Sequence, residues 1–349
     1  MAAVGVQSPN VVRPPTVVRR PRRPVLATVS VTKWALRLDV SEVAPAGCNR
    51  ISIDLFVPDD LVPRPLLWVC VPGGGMSRRY FDLAVSGQNG AFSMARHLAS
   101  GGDLVVAVDP PGVGESDSPD DGYTLSAQVV ADVVAAAVQS LETKLGSKGV
   151  EGVELGSAVV RAKIGLGHSA GALLVACQQA RHGSYDALAL LGFSASGLPE
   201  VLNEVELRFV NRPKALAAVV ADLSRERFGD PLPQWSNSAG DEHELDSASA
   251  EVDVALADAS SKLLALVGMT AIVPGSVQPE LDVLRLPIFA ALGEHDLAGK
   301  LDVLPGQLPA CPDLTLFLLV GAGHNHSVAP NRQILWKRVM RWAASVSPE

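Results

Sequence analysis

The chain is poor in cysteine, in aromatic residues and in long apolar runs. Only four cysteines occur in 349 residues, at positions 48, 70, 177 and 311. None belongs to a CxxC pair or to a Cys/His spacing, which excludes a disulfide framework and a zinc-ribbon type of site. Cys70 and Cys177 lie in apolar segments, as buried free thiols of a reducing compartment would, so the cytoplasm is the expected location. Aromatics make up 5% of the residues, and Ala, Val and Leu carry most of the 48% apolar content. No stretch approaches the roughly 20 apolar residues of a membrane-spanning helix. The longest apolar-rich run, Leu263 to Val273, is interrupted by Gly268 and Thr270. No internal repeat is present.

Acidic residues are absent from positions 1–38, which carry Arg13, Arg19, Arg20, Arg22, Arg23, Lys33 and Arg37. That head contributes +7 to a total of −8, so the remainder carries −15. An acidic body excludes nucleic acid as the main partner, because phosphate binding needs a basic face. Residues 1–24 are expected to form a flexible, basic, Pro-rich N-terminal extension, since they have too little apolar content for a core. No continuous apolar segment follows the arginines, so a secretory signal is not expected.

Beyond that head the chain reads as alternating strands and helices. Val25–Leu38 and Ile51–Val57 have strand patterning and read as an antiparallel pair turning near Pro45–Gly47. Leu66–Val71 and Leu104–Val108 are continuous apolar runs, as expected of strands buried on both faces of a parallel sheet. Lys163–Gly167, Ala187–Phe193, Pro287–Leu292 and Leu314–Val320 continue the series. Thr124–Leu145, Ser169–Arg181 and Asn331–Ser345 read as helices. This alternation predicts an α/β fold with a doubly wound, mostly parallel sheet and helices on both faces.

Between Phe193 and Pro287 the alternation stops. Val201–Phe209, Pro213–Phe228 and Ala248–Val267 have helical spacing of apolar residues, and Pro231–Asp246 is polar and loop-like. A structureless insertion that long is improbable in a compact domain. Residues 198–286 are therefore expected to form a helical cap or lid between strands 6 and 7, with 25–197 and 287–349 as the core.

The chemistry-bearing motif is Gly167-His168-Ser169-Ala170-Gly171, a G-x-S-x-G sequence placed after a short apolar strand and before a helix. A serine held on so sharp a turn needs small neighbours, because the backbone is strained and the helix packs close. The Ala170 amide then sits at a helix N-terminus, where it can stabilise an oxyanion. In its strand–turn–helix setting the motif resembles the nucleophile turn of the α/β-hydrolase superfamily. The resemblance covers roughly residues 50–345 and rests on four further segments in the superfamily's order. Leu66–Gly75 (LLWVCVPGGG) is similar to the strand and oxyanion loop, with Pro72 where a His often stands. Val106–Ser116 (VAVDPPGVGES) is similar to the D-x-x-G-x-G-x-S loop. Ile288–Asp296 (IFAALGEHD) and Leu319–His324 (LVGAGH) complete the set.

The resemblance implies roles residue by residue. Ser169 would be the nucleophile, and Gly74 would supply the second oxyanion N–H beside Ala170. Asp296 best fits the acid's place in a G-x-x-D setting, with Glu294 in reserve. His324 would be the general base, with His326 the competitor in the same loop. It implies a serine hydrolase of a carboxylic ester, thioester or lactone of a small to medium apolar substrate. Carbon–carbon bond or amide cleavage on the same triad remains open, no cofactor is implied, and nothing bears on oligomeric state.

Other readings of the same residues are weaker. His168 is expected to pack away from Ser169, and His97, His182 and His243 to lie at surfaces or helix ends. His324-Asn325-His326 with Glu294-His295-Asp296 has metal-like spacing but lacks a third matched His, so no metal site is expected. Gly165-x-Gly167-x-x-Ala170 resembles a dinucleotide fingerprint with Asp186 about twenty residues on, the basis of an NAD(P)-dependent oxidoreductase reading. That acid, however, precedes its strand instead of ending it. A non-catalytic binding protein on a hydrolase fold is the third class, disfavoured because all three triad positions are filled.

Overall fold

The computed structural model describes residues 30–146, 150, 158–235 and 249–347. The extension predicted for residues 1–24 lies outside the described residues, as do 25–29 and most of the loop predicted for Pro231–Asp246. The strands are β1 (Val31–Asp39), β2 (Arg50–Pro58), β3 (Leu66–Val71), β4 (Leu104–Val108), β5 (Ala162–His168), β6 (Ala187–Leu191), β7 (Ile288–Gly293) and β8 (Leu314–Leu319). They form one sheet in the order β1-β2-β4-β3-β5-β6-β7-β8. The neighbours of β2 run antiparallel to it, and every pairing from β4 to β8 is parallel.

Every residue of β3, β4, β6 and β7 is buried. That is why their sequences are continuous apolar runs: alternate side chains enter two different cores. In β3, Leu67, Val69 and Val71 face the core formed with α2 (Ala127–Gly146) and α3 (Ala170–His182). Leu66, Trp68 and Cys70 face the other core, formed with α1 (Met94–Ala99) and α9 (Arg332–Val346). The sheet is thus covered on both faces. After β3 the chain moves to β4 on one side and then returns to β5 on the other. The crevice of an open α/β sheet lies at such a reversal, outside the carboxyl ends of the strands. The Pro72–Gly75 loop and Ser169 follow β3 and β5 at that point.

Between β6 and β7 lie α4 (Pro213–Phe228), α5 (Ala250–Ala259), α6 (Ala265–Ile272) and the short α7 (Gln278–Leu281). Two differences from the sequence reading occur here. Val201–Phe209 forms only two single 3₁₀ turns, at Pro199–Val201 and Glu206–Phe209. The predicted helix over Ala248–Val267 breaks after Ala259 into α5 and α6. The backbone there pairs elsewhere: Ser77 N donates to Ala259 O (2.8 Å), and Ser261 N donates to Gly75 O (2.7 Å). Hydrogen bonds to the loop after β3 replace those that would have continued the helix. A further short helix, α8 (Leu304–Gln307), precedes β8. No helix among the described residues is long and apolar enough to cross a membrane.

Candidate active site

Ser169 sits between β5 and α3 with φ 53° and ψ −123°. A non-glycine residue there is strained, and such strain persists only where the surroundings over-determine it. Two glycines show how. A Cβ on Gly167 would lie 2.3 Å from Gly171 O, and one on Gly171 would lie 2.1 Å from Val71 O. The helix start therefore packs directly on β5 and on the end of β3, and only hydrogens fit between them. Ser169 N donates to Leu191 O (2.8 Å), which ties the turn to the end of β6.

The loop after β3 lies against this turn. The position of a Cβ on Gly73 is 3.2 Å from Ser169 Cβ, and that of one on Gly74 is 3.7 Å from Ala170 Cβ. The residues predicted to supply the two oxyanion amides, Gly74 and Ala170, are thus neighbours. They line a small cleft together with Val113, Leu174, Leu263, Leu264 and Val267. Its walls are mostly apolar, and Leu263, Leu264 and Val267 come from the segment between β6 and β7.

Arg78 anchors the loop from below. Its side chain is 5% exposed and pairs with Asp54 (2.9 Å), Asp109 and Glu115 (2.8 Å). Its backbone N–H donates to Asp109 Oδ1 (2.6 Å). Burial by itself would lower the guanidinium pKa, but the carboxylates of Asp109, Glu115 and Asp54 hold it above the ordinary arginine value. Asp109 begins the segment similar to D-x-x-G-x-G-x-S, and its Oδ2 also accepts from Glu115 N (2.9 Å). One buried ion cluster thereby joins the loops after β3 and β4. Arg78 is not among the residues singled out from sequence; a charged residue three positions after a glycine-rich turn is its only signal there.

The acid and base positions follow β7 and β8. Asp296 has a fully buried carboxylate, 0% exposed, and His324 Nδ1 lies 2.7 Å from its Oδ1. Ala298 N donates to the same oxygen (2.9 Å). On Oδ2 the partners are His326 Nε2 (2.8 Å) and Gly293 N (3.2 Å). Burial would raise the Asp296 pKa, but the bonds from His324 and His326 outweigh it and hold the carboxyl well below the usual carboxylate range. An ionised carboxylate only accepts, so His324 donates to it from Nδ1, and the neutral tautomer this bond selects has its lone pair on Nε2. Glu294 is elsewhere: its side chain is 44% exposed. It accepts from Gly321 N (2.8 Å), bracing the turn after β8.

His324 packs on Gly192, the residue after the Leu191 carbonyl that holds Ser169; a Cβ there would meet His324 Cε1 at 3.1 Å. The structure thus brings Ser169, His324, Asp296, Gly74 and Ala170 to one corner of the sheet. His168 is buried behind them. Its Nε2 lies 2.8 Å from His324 O, and its ring stacks on Tyr80 at 4.8 Å between centroids. A carbonyl accepts, so Nε2 carries the proton. Burial first, then the neighbouring His324 and His326, push its pKa well below that of free imidazole. His168 is therefore a neutral donor that fixes the His324 backbone, a contact the packing role assigned from sequence did not anticipate. Asp186 lies at the opposite end of the sheet, where its Oδ2 accepts from Lys163 N (2.7 Å) at the start of β5.

The comparisons agree with this architecture. Over residues 68–335 the sequence matches the family model described as the alpha/beta hydrolase family. No curated protein matches it. A thermophilic esterase from Thermogutta terrifontis is similar in fold, with a TM-score of 0.54 and 14% identity over 90% of this chain and 100% of that one. The monoacylglycerol lipase of Paleococcus ferrophilus gives 0.55 and 18% over 85% and 99%. A thioesterase domain from the curacin biosynthetic pathway gives 0.56 and 15% over 89% and 99%. With the family model covering more than half of the sequence, and the strand order and mixed sheet to match, the chain belongs to the alpha/beta hydrolase family.

Proposed function

We propose that this chain is a serine hydrolase that cleaves a carboxylic ester, thioester or lactone of a small to medium apolar substrate through an acyl-enzyme. The observation that carries the reading is the His324–Asp296 bond of 2.7 Å, made in a loop that packs beside the Ser169 turn. It sets the imidazole tautomer a general base needs. Ser169 Oγ attacks the carbonyl carbon and its proton passes to His324 Nε2. The oxyanion is held by the Gly74 and Ala170 amides. Collapse breaks the bond to the alcohol or thiol, which takes the proton from His324. Water then gives a proton to His324 and attacks the acyl carbon, and the acid leaves as Ser169 recovers its proton.

The helical segment 198–286 acts as a cap in this reading, with Leu263, Leu264 and Val267 over the acyl group. An esterase, a lipase, a thioesterase and an enol-lactonase among the similar folds support an ester-like bond. The buried free thiols of Cys48, Cys70 and Cys177 support work in the cytoplasm. A panel of p-nitrophenyl esters of increasing acyl length tests the reading. Turnover of short and medium chains by the wild type, abolished in Ser169→Ala, is expected. Equal turnover by both proteins would overturn it.

A further inference from the structure

Two imidazoles, not one, bind the buried carboxylate. Along an extended chain residues 324 and 326 would occupy the same face two positions apart, without converging on one group. Here His326 N donates to His324 O (3.0 Å), a three-residue turn that brings both rings onto Asp296. Resting on the function proposed above, we infer that His326 is a positioning residue: its Nε2–H holds the second oxygen of Asp296 and so keeps the carboxylate set for His324.

The donor inventory carries the argument. Oδ1 receives His324 Nδ1 and the Ala298 amide, and Oδ2 receives His326 Nε2 and the Gly293 amide. The Gly293 bond, at 3.2 Å, is at the long limit for an N–H donor. Without His326 the second oxygen of a fully buried anion would keep that one bond alone. On that side only the long Gly293 bond would then resist turning about the Cβ–Cγ bond.

His326 is unsuited to the base role itself. It is 1% exposed, and its Nδ1 is buried without a hydrogen-bond partner. A carboxylate oxygen only accepts, so the nitrogen that faces Asp296, Nε2, is the donor. The titratable groups that face it are Asp296, His324 and His168, the last 5.6 Å away between ring centroids. Its donor shares the negative charge of Asp296 that would otherwise act on His324 alone. Removing it leaves a stronger anion beside His324, which then gives up its proton only at higher pH.

The test compares His326→Phe, which fills the space without a donor, with His326→Gln, whose side-chain amide can still donate to Oδ2. The readout is kcat/KM for a p-nitrophenyl ester across pH, with Ser169→Ala as control. His326→Phe should lose about 10- to 100-fold, the scale of one hydrogen bond to a charged group. Its acid limb should move up by about 0.5–1 pH unit, and His326→Gln should recover most of the loss. Should the Phe variant not fold, His326→Asn, too short to reach Oδ2, takes its place. Wild-type rates in His326→Phe, or equal losses in Phe and Gln variants with an unmoved acid limb, would overturn the inference. Full activity in Ser169→Ala would instead remove the serine-hydrolase reading beneath it.

Discussion

Asp296→Asn is the substitution on which the geometry makes its sharpest demand. The carboxylate is surrounded by four donors, and two of these, the amides of Gly293 and Ala298, belong to the backbone and cannot be reversed. An asparagine must point its NH₂ at one pair or the other. Toward Oδ1 it would meet Ala298 N and force His324 to accept through Nδ1, which moves the imidazole proton to Nε2 and removes the free lone pair. Toward Oδ2 it would meet Gly293 N and His326. Either way a buried donor faces a donor, at a cost of about 1–3 kcal/mol in folding. In the first arrangement the wrong tautomer lowers kcat by about 10⁴-fold, some 5.5 kcal/mol of barrier. In the second the tautomer survives, but the negative charge that stabilises the imidazolium is gone, which still lowers kcat by more than about 10-fold. Glu294→Gln makes the contrast: its side chain is 44% exposed. It offers one oxygen to Gly321 N, and glutamine preserves that acceptor, so kcat should change by no more than about 2-fold. Steady-state hydrolysis of p-nitrophenyl acetate, with circular dichroism to confirm folding, reads both. An Asp296→Asn variant within about 10-fold of wild type, or a Glu294→Gln variant reduced more than about 100-fold, would refute the assignment of the acid.

Three further outcomes concern other parts of the structure. Gly171→Ala places a methyl 2.1 Å from Val71 O, so the variant should lose about 3 kcal/mol or more in urea denaturation, or fail to fold. Arg78→Met leaves Asp109 buried without its cation and should cost about 3–5 kcal/mol, whereas Glu115→Gln, at a site 55% exposed, should cost less than about 1 kcal/mol. Both are read as shifts in the urea midpoint. His168 has a folded-state pKa below its unfolded value of about 6.5. The unfolded chain therefore binds the extra proton first. This contribution to stability is complete above that pH and is lost as pH falls below it, by up to about 1.4 kcal/mol per pH unit. His168→Asn should be less stable at pH 8 but show a shallower decline between about pH 6.5 and 5, measured by urea unfolding; an unchanged slope would contradict a buried neutral imidazole.

What could be read from sequence was what local chemistry determines. Leu66–Val71 and Leu104–Val108 matched β3 and β4 at both ends because strands buried on two faces leave no polar residue to blur the pattern. Pro213–Phe228 matched α4 because Pro213 opens it and Gly229 closes it in the left-handed region. The break after Ala259 was not readable, since it depends on hydrogen bonds to residues 75 and 77, far away in the chain. The same limit governs the site. Glu294 and Asp296 both follow β7 within three residues, and the G-x-x-D setting favours Asp296 without showing where either carboxylate points. In the fold, Gly293 N and Ala298 N hold the Asp296 carboxylate inward, while Glu294 is on the outside. His324 and His326 read as competitors for one role, yet the turn between them gives each its own oxygen of Asp296. Arg78 carried no motif, and its meaning appears only when β2 and the loops after β3 and β4 are brought together.

Everything proposed for this site depends on Ser169 being an activated nucleophile. This is tested most directly by treating the folded protein with a fluorophosphonate and locating the adduct by peptide mass spectrometry. A single phosphonylated serine at position 169, formed far more slowly in Asp296→Asn, is expected. An adduct on another residue, or an intact protein that takes none, would contradict it.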